Sequence, residues 1–164
     1  MSASDAAAPR SAKDLIEQLA GMPDRLEAAI AALGEREAAP GVDGWSVREL
    51  AGHLSDASRY WGARMRRAVF EDRPQLDPYD QEGCVALAAY RYALGPDLAR
   101  QFRAFSEPVT AFLRVIAPSD WERVGVHGEM GPLTVRQLVT IEVDHEREHI
   151  EQIERMSGRL AQDG

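Results

Sequence analysis

Apolar residues that recur every three or four positions constrain this chain most, because that spacing places them on one face of an α-helix. The first such segment predicts a helix from about Ala12 to Leu33. Its apolar positions are Leu15, Leu19, Met22, Leu26, Ile30 and Leu33. Pro23 is expected to bend or divide this helix, since proline removes an internal hydrogen bond. The apolar face must be buried against other elements of the same kind.

Capping signals mark two further helices. Ser46 is a good N-cap, and a glutamate three residues later completes a capping box, so a second helix is predicted to run to about Phe70. Thr134 is expected to cap the last helix, which should run to about Met156 and stop at Gly158. Both helices are long enough to span a small domain.

The third helical segment is interrupted. Apolar spacing runs from Cys84 to Ala117, but Gly95-Pro96 breaks it, and Pro108 is expected to kink or restart the helix. The glycine- and proline-rich stretch before the last helix is expected to hold a small hairpin. Four helices with mostly short connections predict an all-α fold, a four-helix bundle with mostly antiparallel neighbours.

Length favours one domain. The chain has 164 residues, and 45% of them are hydrophobic, so it can form one buried core without stabilising disulfide bonds or structural metal ions. Residues 11–158 are predicted to form a single bundle domain. Residues 1–10 are small and polar and are expected to be a disordered tail, and residues 159–164 a C-terminal tail.

Charge and cysteine content bear on partners and compartment. The net charge of −8 argues against binding to a nucleic-acid backbone, and no apolar run is long enough to span a membrane. The first residues lack the basic and apolar regions of a secretory signal. Cys84 is the single cysteine and cannot form an internal disulfide, which fits a cytoplasmic protein. The partner that we expect is a small-molecule substrate.

Two histidines share one face of the last helix. His145 and His149 are four residues apart and therefore lie one turn apart, in the middle of the apolar stripe. Glu142 and Gln152 fall on the same stripe. On the second helix, His53 lies beside apolar positions and also points toward the core. Buried polar groups cost several kcal/mol without partners, and a shared metal ion accounts for them most simply.

Three neutral imidazoles from two helices suit a divalent metal such as zinc, nickel or iron, and leave coordination positions open. The alternative is that each histidine is a hydrogen-bonded core residue. That alternative loses weight when a third inward histidine joins an i, i+4 pair in a chain with four histidines. The fourth, His127, is interpreted as a residue of a glycine-rich loop.

The last helix also matches a protease motif. His145-Glu146-x-x-His149 has the spacing of the zincin motif, in which the glutamate is the general base. Here the two intervening residues are charged, and only 15 residues follow His149, too few for a downstream ligand segment. Glu146 lies off the histidine face. We therefore reject protease activity.

Three sequence blocks carry a resemblance to a known family. They are WSVRELAGHLSD at residues 45–56, GPLTVRQL at 131–138 and DHEREHIEQI at 144–153. In this order they resemble the DinB superfamily, over roughly residues 12–156. The resemblance implies a four-helix bundle, often a homodimer, with a metal site formed by His53, His145 and His149.

The family leaves three functions open. Its characterised members include bacillithiol S-transferases and mycothiol-dependent maleylpyruvate isomerases, so the first expectation is a metal-dependent transferase or isomerase with bacillithiol or mycothiol as thiol cosubstrate. The second is a metal-dependent hydrolase that activates water with the same ligands. The third is a non-catalytic protein of stress response that binds metal or a small ligand.

Other side chains are candidates for supporting the metal ligands. Glu142 lies on the inner stripe and is the better candidate. Asp56 is one turn from His53, and Asp144 adjoins His145, but an aspartate in either position is more often a surface or capping carboxylate.

Three residues of the second helix are candidates for the substrate pocket. Arg64 lies on the same face as His53 and could receive a substrate carboxylate, or could extend past the core to water at the end of the bundle. Trp61 and Tyr60 are expected to be core or cleft wall. On the last helix, valines and an isoleucine beside the histidine face are expected to pack on the first helix or to form a dimer interface.

Overall fold

The computed structural model describes residues 10–38 and 44–162, and within it four long helices form the predicted bundle. The helices are α1 (Ala12–Leu33), α2 (Val47–Phe70), α3 (Gln81–Ala88), α4 (Gly95–Val115) and α5 (Val135–Gln162). Short strands are β1 (Gln75–Leu76), β2 (Val124–His127) and β3 (Gly131–Thr134). The four-helix bundle is confirmed, with α3 as a short addition beside it.

The helix starts follow the capping chemistry. The Ser46 hydroxyl accepts the backbone N–H of Glu49, and the Glu49 carboxylate accepts the backbone N–H of Ser46, which is the predicted capping box of α2. Thr134 accepts the backbone N–H of Gln137 and caps α5. Ser11 does the same for Asp14 at the start of α1. Each bond satisfies a backbone donor that the first helical turn leaves open.

The prolines interrupt less than expected. Pro23 lies inside α1 and Pro108 inside α4, and both helices continue through them. The predicted break is at Gly95, where α4 begins. A proline inside a helix destabilises it by about 3 kcal/mol or more. Burial of the apolar faces of α1 and α4 in the core offsets this loss.

The end of α5 differs from the prediction. The helix passes Gly158, where a stop was expected, and ends at Gln162. Glycine ends a helix when it adopts a left-handed conformation, whereas a helical glycine costs only about 1 kcal/mol relative to alanine. Most of the predicted tail at residues 1–10 lies outside the described residues. Arg10 is described, and its guanidinium pairs with the Asp144 carboxylate at 2.7 Å.

The bundle neighbours are two antiparallel pairs and two parallel pairs, so the expectation of mostly antiparallel neighbours holds for half of them. α1 packs on α4 and α5, and α2 packs on the same two helices. Arg25 pairs with Glu154 and Arg10 with Asp144, so α1 runs parallel to α5. Ser55 meets Leu98 and Arg66 meets Pro108, so α2 runs parallel to α4.

The long connection from α2 to α4 explains these directions. It returns along the outside of the bundle through β1 and α3, so α4 starts at the same end as α2. The expected hairpin exists as antiparallel β2 and β3, and β1 adds to it in parallel. This small sheet lies at the end of the bundle where α2 ends and α5 begins.

The core is apolar and continuous across the four long helices. Phe102 of α4 and Leu15 of α1 are fully buried. Val139, Val143 and Ile150 of α5 are also fully buried, so they pack inside the bundle and are not a dimer surface. Among the described residues, no helix has the length and apolar character needed to cross a membrane.

Candidate metal centre

The three predicted histidines converge where α2 faces α5. His53 of α2 lies opposite His145 and His149, which are one turn apart on α5. The Nε2 atoms of His53 and His145 are 2.9 Å apart, and the centre of the His149 ring is 5.0 Å from that of His53. One ring nitrogen from each histidine lies within 4.8 Å of the other two. A single ion can therefore be reached by all three.

The contacts of the three Nδ1 atoms show which ring nitrogens remain free to bind a metal. The Nδ1 atom of His53 is 3.3 Å from the Tyr79 hydroxyl, and that of His149 is 3.2 Å from the Gln152 side-chain oxygen. The Nδ1 atom of His145 is 4.0 Å from a Glu142 oxygen. Metal-binding histidines commonly use one nitrogen for the ion and the other for an oxygen of the protein. His53 and His149 follow this pattern, whereas the Nδ1 atom of His145 has no hydrogen-bond partner among the described residues.

Burial keeps the imidazoles of His53 and His145 neutral. Burial lowers the pKa of His53 to about 3, and the nearby His145 and His149 add to the effect. Burial also lowers the pKa of His145 to about 4, with a further contribution from His149. A neutral imidazole is the form that binds a metal. The donor set suits zinc, nickel or iron(II) and leaves coordination positions for a substrate.

Two carboxylates lie beneath the histidines. Glu142 and Glu146 of α5 are buried, with 1% and 0% of their surfaces exposed. Their four oxygens find no donor elsewhere among the described residues, so a proton shared between the two carboxyl groups is the hydrogen bond open to them. Burial raises the pKa of both carboxyl groups, and the charge of Glu142 adds to the effect on Glu146. Such orphaned acidic groups fit a site that a nearby cation would complete.

Glu142 is buried on the inner stripe of α5, as the sequence predicted, and Glu146 is buried as well. The sequence put Glu146 off the histidine face, yet it is fully buried. The signal was present, because the buried Val139 and Val143 extend the apolar stripe of α5 past Glu146. Because its carboxylate is enclosed in the core, Glu146 is not presented to a cleft as a zincin base would be. The rejection of protease chemistry is consistent with this burial.

The other two carboxylates have different partners from those expected. Asp56 accepts a hydrogen bond from the Tyr90 hydroxyl at 2.9 Å and pairs with Arg59. Asp144 pairs with Arg10 and Arg147 on the side of α5. Neither is hydrogen-bonded to a histidine in the described part of the chain.

Tyr79 and Gln152 take the role that Asp56 and Asp144 were expected to have. Tyr79 lies in the connection before α3, where no helical periodicity marks it. Gln152 shares the apolar stripe of α5 with the histidines and lies three residues after His149. Periodicity could therefore find Gln152 but not Tyr79.

A cleft of about 520 Å³ opens beside His145. Trp61 and Arg64 line it, as predicted. Tyr60 stands behind it, stacked on Tyr79 with ring centres 4.3 Å apart. His127 also lines the cleft; it was expected in a loop but is the last residue of β2, which packs on α2.

A second opening of about 310 Å³ reaches His149 from the other side. It is lined by Trp45 and Gln152, among others, and the Trp45 ring lies 4.9 Å from that of His53. Gln81, at the start of α3, lines both openings and stands between them. The histidine cluster is thus accessible from two directions.

Comparison with known proteins gives consistent likenesses. A protein of Oceanobacillus iheyensis named "Putative metal-dependent hydrolase" is 28% identical over 110 residues, which are 67% of this chain and 63% of that protein, less than two thirds of its length. YfiT from Bacillus subtilis, described as "a probable metal-dependent hydrolase with an unusual four-helix bundle topology", superposes with a TM-score of 0.86 at 22% identity, over 98% of this chain and 94% of YfiT.

A third likeness is to an isomerase. A mutant form of the mycothiol-dependent maleylpyruvate isomerase superposes with a TM-score of 0.73 at 7% identity, over 88% of this chain and 61% of the isomerase. At these identities the two superpositions show a shared fold. The sequence profile of the DinB superfamily matches residues 18–153, most of the chain. This chain therefore belongs to the DinB superfamily.

Proposed function

We propose that this protein is a metal-dependent enzyme whose ion is held by His53, His145 and His149. The proposed reaction is the transfer of a low-molecular-weight thiol to an electrophilic substrate, or a related isomerisation that uses the thiol as cosubstrate. The observation that carries the proposal is the convergence of three imidazoles beside an open cleft that reaches His145. A structural histidine cluster would be expected in a closed core, where no substrate could approach.

The chemistry follows from the ligand set. A divalent ion in this position would lower the pKa of a thiol or a water bound to it, so that the nucleophilic anion exists near neutral pH. The protein's own contribution is to fix the ring orientations through Tyr79 and Gln152 and to position the reactants. The proposed cosubstrate is bacillithiol or mycothiol.

The two openings favour thiol transfer over hydrolysis. A transfer reaction brings together two organic molecules, and here one can approach from the His145 side and the other from the His149 side. Hydrolysis needs one organic substrate and water. The likeness to a mycothiol-dependent isomerase supports the same choice, although that likeness is one of fold.

A metal-dependent hydrolase is the second candidate. It is favoured by the names of several relatives, including the Oceanobacillus protein. The same three histidines would then activate water. A non-catalytic binding protein is a third candidate, but the open cleft with polar and aromatic walls argues against it.

A paired assay separates transfer from hydrolysis. Protein loaded in turn with zinc, nickel and iron(II) is mixed with bacillithiol or mycothiol and monochlorobimane, and the fluorescent thiol adduct is followed. The same preparations are tested for hydrolysis of p-nitrophenyl acetate. We expect metal-dependent adduct formation, which His149→Ala abolishes and Glu148→Ala, an exposed neighbour on α5, retains. Hydrolysis without thiol transfer would instead support the second candidate.

A further inference from the structure

The cleft beside His145 contains a buried positive charge without a carboxylate partner. Arg64 has 5% of its surface exposed and lines the cleft. Its Nε and Nη2 atoms donate to one acceptor, the backbone carbonyl of Asp77, at 3.2 and 2.6 Å. No carboxylate of the described residues lies within ion-pair distance of it, whereas most of the other arginines described are paired. A buried charge is costly unless an opposite charge reaches it.

A second hydrogen-bond donor lines the same cleft. The Nδ1 atom of His127 accepts the backbone N–H groups of Glu129 and Met130 at 3.2 and 3.4 Å. A neutral imidazole that accepts through Nδ1 carries its proton on Nε2 and donates there. The residue that the sequence placed in a loop thus supplies a donor with a fixed tautomer.

Trp61 joins the two donors. The Arg64 guanidinium carbon lies 4.7 Å from the centre of the Trp61 ring, and the His127 ring is nearly parallel to Trp61, with centres 6.2 Å apart. The stacking restricts both side chains, so they are ordered before a ligand arrives. An ordered pair of donors beside an aromatic surface suits a planar oxyanion.

The acidic residues of the cleft do not neutralise this pair. The Asp80 carboxylate accepts the backbone N–H of Gly83 and caps α3. Glu129 is exposed at the turn of the hairpin, and its charge acts on Arg64 and His127 without forming an ion pair with either. Glu142 attracts Arg64 at a distance but lies in the core beneath the histidines. The guanidinium keeps donor capacity on its Nη1 atom.

We infer that Arg64 and His127 form a subsite for the carboxylate of a substrate whose reacting end lies toward His145. The subsite rests on the proposed function, because the bound molecule is a substrate only if the protein is an enzyme. It adds the class of that substrate, which is a carboxylate-bearing electrophile. The carboxylate of that molecule accepts hydrogen bonds from Arg64 and His127, and its carbon skeleton lies on Trp61. Anion binding as such does not depend on the metal.

The test compares a carboxylate probe with its uncharged analogue. Binding of 4-fluorobenzoate is measured by fluorine NMR beside 4-fluorobenzyl alcohol, which has the same ring without the charge. Both are titrated against metal-loaded protein and against chelator-treated protein. We expect the carboxylate to bind in both forms, and at least about tenfold more tightly than the alcohol, as for a charge-assisted hydrogen bond. Inorganic phosphate as competitor shows whether the subsite prefers a planar carboxylate to a tetrahedral oxyanion.

Variants assign the binding to the subsite. Arg64→Gln should weaken 4-fluorobenzoate binding by about tenfold or more, while Arg66→Gln, on the outer face of α2, should leave it unchanged. His127→Phe keeps the stack on Trp61 and removes the Nε2 donor, and we expect a smaller loss. It serves as the second test if Arg64→Gln unfolds, since Arg64 also holds the Asp77 carbonyl.

The outcomes are separable from those of the proposed function. The inference is overturned if 4-fluorobenzoate and 4-fluorobenzyl alcohol bind equally, or if neither binds. It is also overturned if phosphate displaces 4-fluorobenzoate at concentrations far below those at which 4-fluorobenzoate itself binds. Loss of binding on chelation would overturn it too, because the carboxylate would then be a ligand of the metal. Carboxylate binding that depends on Arg64, in a protein that takes up no metal, would keep the subsite and reject the proposed enzyme.

Discussion

At the scale of single residues, the metal site depends on groups that touch the histidines rather than on the histidines alone. Tyr79, Gln152 and Glu142 each face one Nδ1 atom. Glu142 differs from the other two, because it is a buried acid whose only hydrogen-bonding neighbour among the described residues is the carboxyl group of Glu146. When ionised, Glu142 would stabilise a divalent cation, whereas its ionisation without a cation would destabilise the protein.

Glu142→Gln tests this double role. We expect metal affinity to fall by about 10- to 100-fold, as for other residues that support metal ligands. Burial raises the pKa of Glu142 above that of the unfolded chain, so the folded state holds the proton longer. The stability that this proton provides is present at low pH and is lost as pH rises.

Relative to Glu142→Gln, the metal-free wild type should therefore lose stability from about pH 5 to about pH 8. The buried His53 and His145 have lowered pKa values and act in the opposite direction, but both proteins contain them, so the comparison isolates Glu142. Urea unfolding at both pH values, with a metal titration at the higher one, measures the two effects. Glu148→Gln on the exposed face of α5 is the control. Equal metal affinity in Glu142→Gln and wild type would show that the carboxylate does not support the site.

At the scale of elements, sequence periodicity and capping predicted the four long helices, and the histidine spacing predicted the face of α5 that meets α2. Helix directions were harder, because they depend on how the connection through β1 and α3 returns along the bundle. The residues that form the cleft wall were also not all predictable from the sequence. Tyr79 and His127 come from connecting segments, and their positions depend on long-range packing of the small sheet.

Gly52 shows how one connecting element is fixed on α2. A Cβ atom at this position would lie 2.2 Å from the Tyr90 ring, which packs directly on the helix backbone. Tyr90 follows α3 and donates its hydroxyl hydrogen bond to Asp56. The space beside His53 that the glycine provides is thus filled by a side chain of the protein.

Gly52→Ala should therefore destabilise the protein by about 1 to 3 kcal/mol through overpacking. Gly21, in the interior of α1, has open space around the corresponding position. Gly21→Ala should instead stabilise by about 0.5 to 1 kcal/mol, because alanine has the higher helix propensity. Thermal unfolding of both variants checks the pair, and a neutral or stabilising Gly52→Ala would contradict the packing of Tyr90 on α2.

At the scale of the whole molecule, the bundle brings residues from distant parts of the chain to one point. α2 provides His53 and Arg64, α5 provides the other two histidines, and the connections provide Tyr79 and His127. The parallel and antiparallel pairing matters here, because the antiparallel contact of α2 with α5 sets His53 opposite His145. The result is a histidine cluster with an opening on each side.

Metal content tests the central claim most directly. Protein purified without an affinity tag is analysed by inductively coupled plasma mass spectrometry, beside His149→Ala and the control Glu148→Ala. We expect about one zinc, nickel or iron per chain in the wild type and the control, and almost none in His149→Ala, since three protein ligands are needed to hold the ion. No bound metal in the wild type, even after each ion is added back, would contradict the metal site and leave the three histidines as core residues.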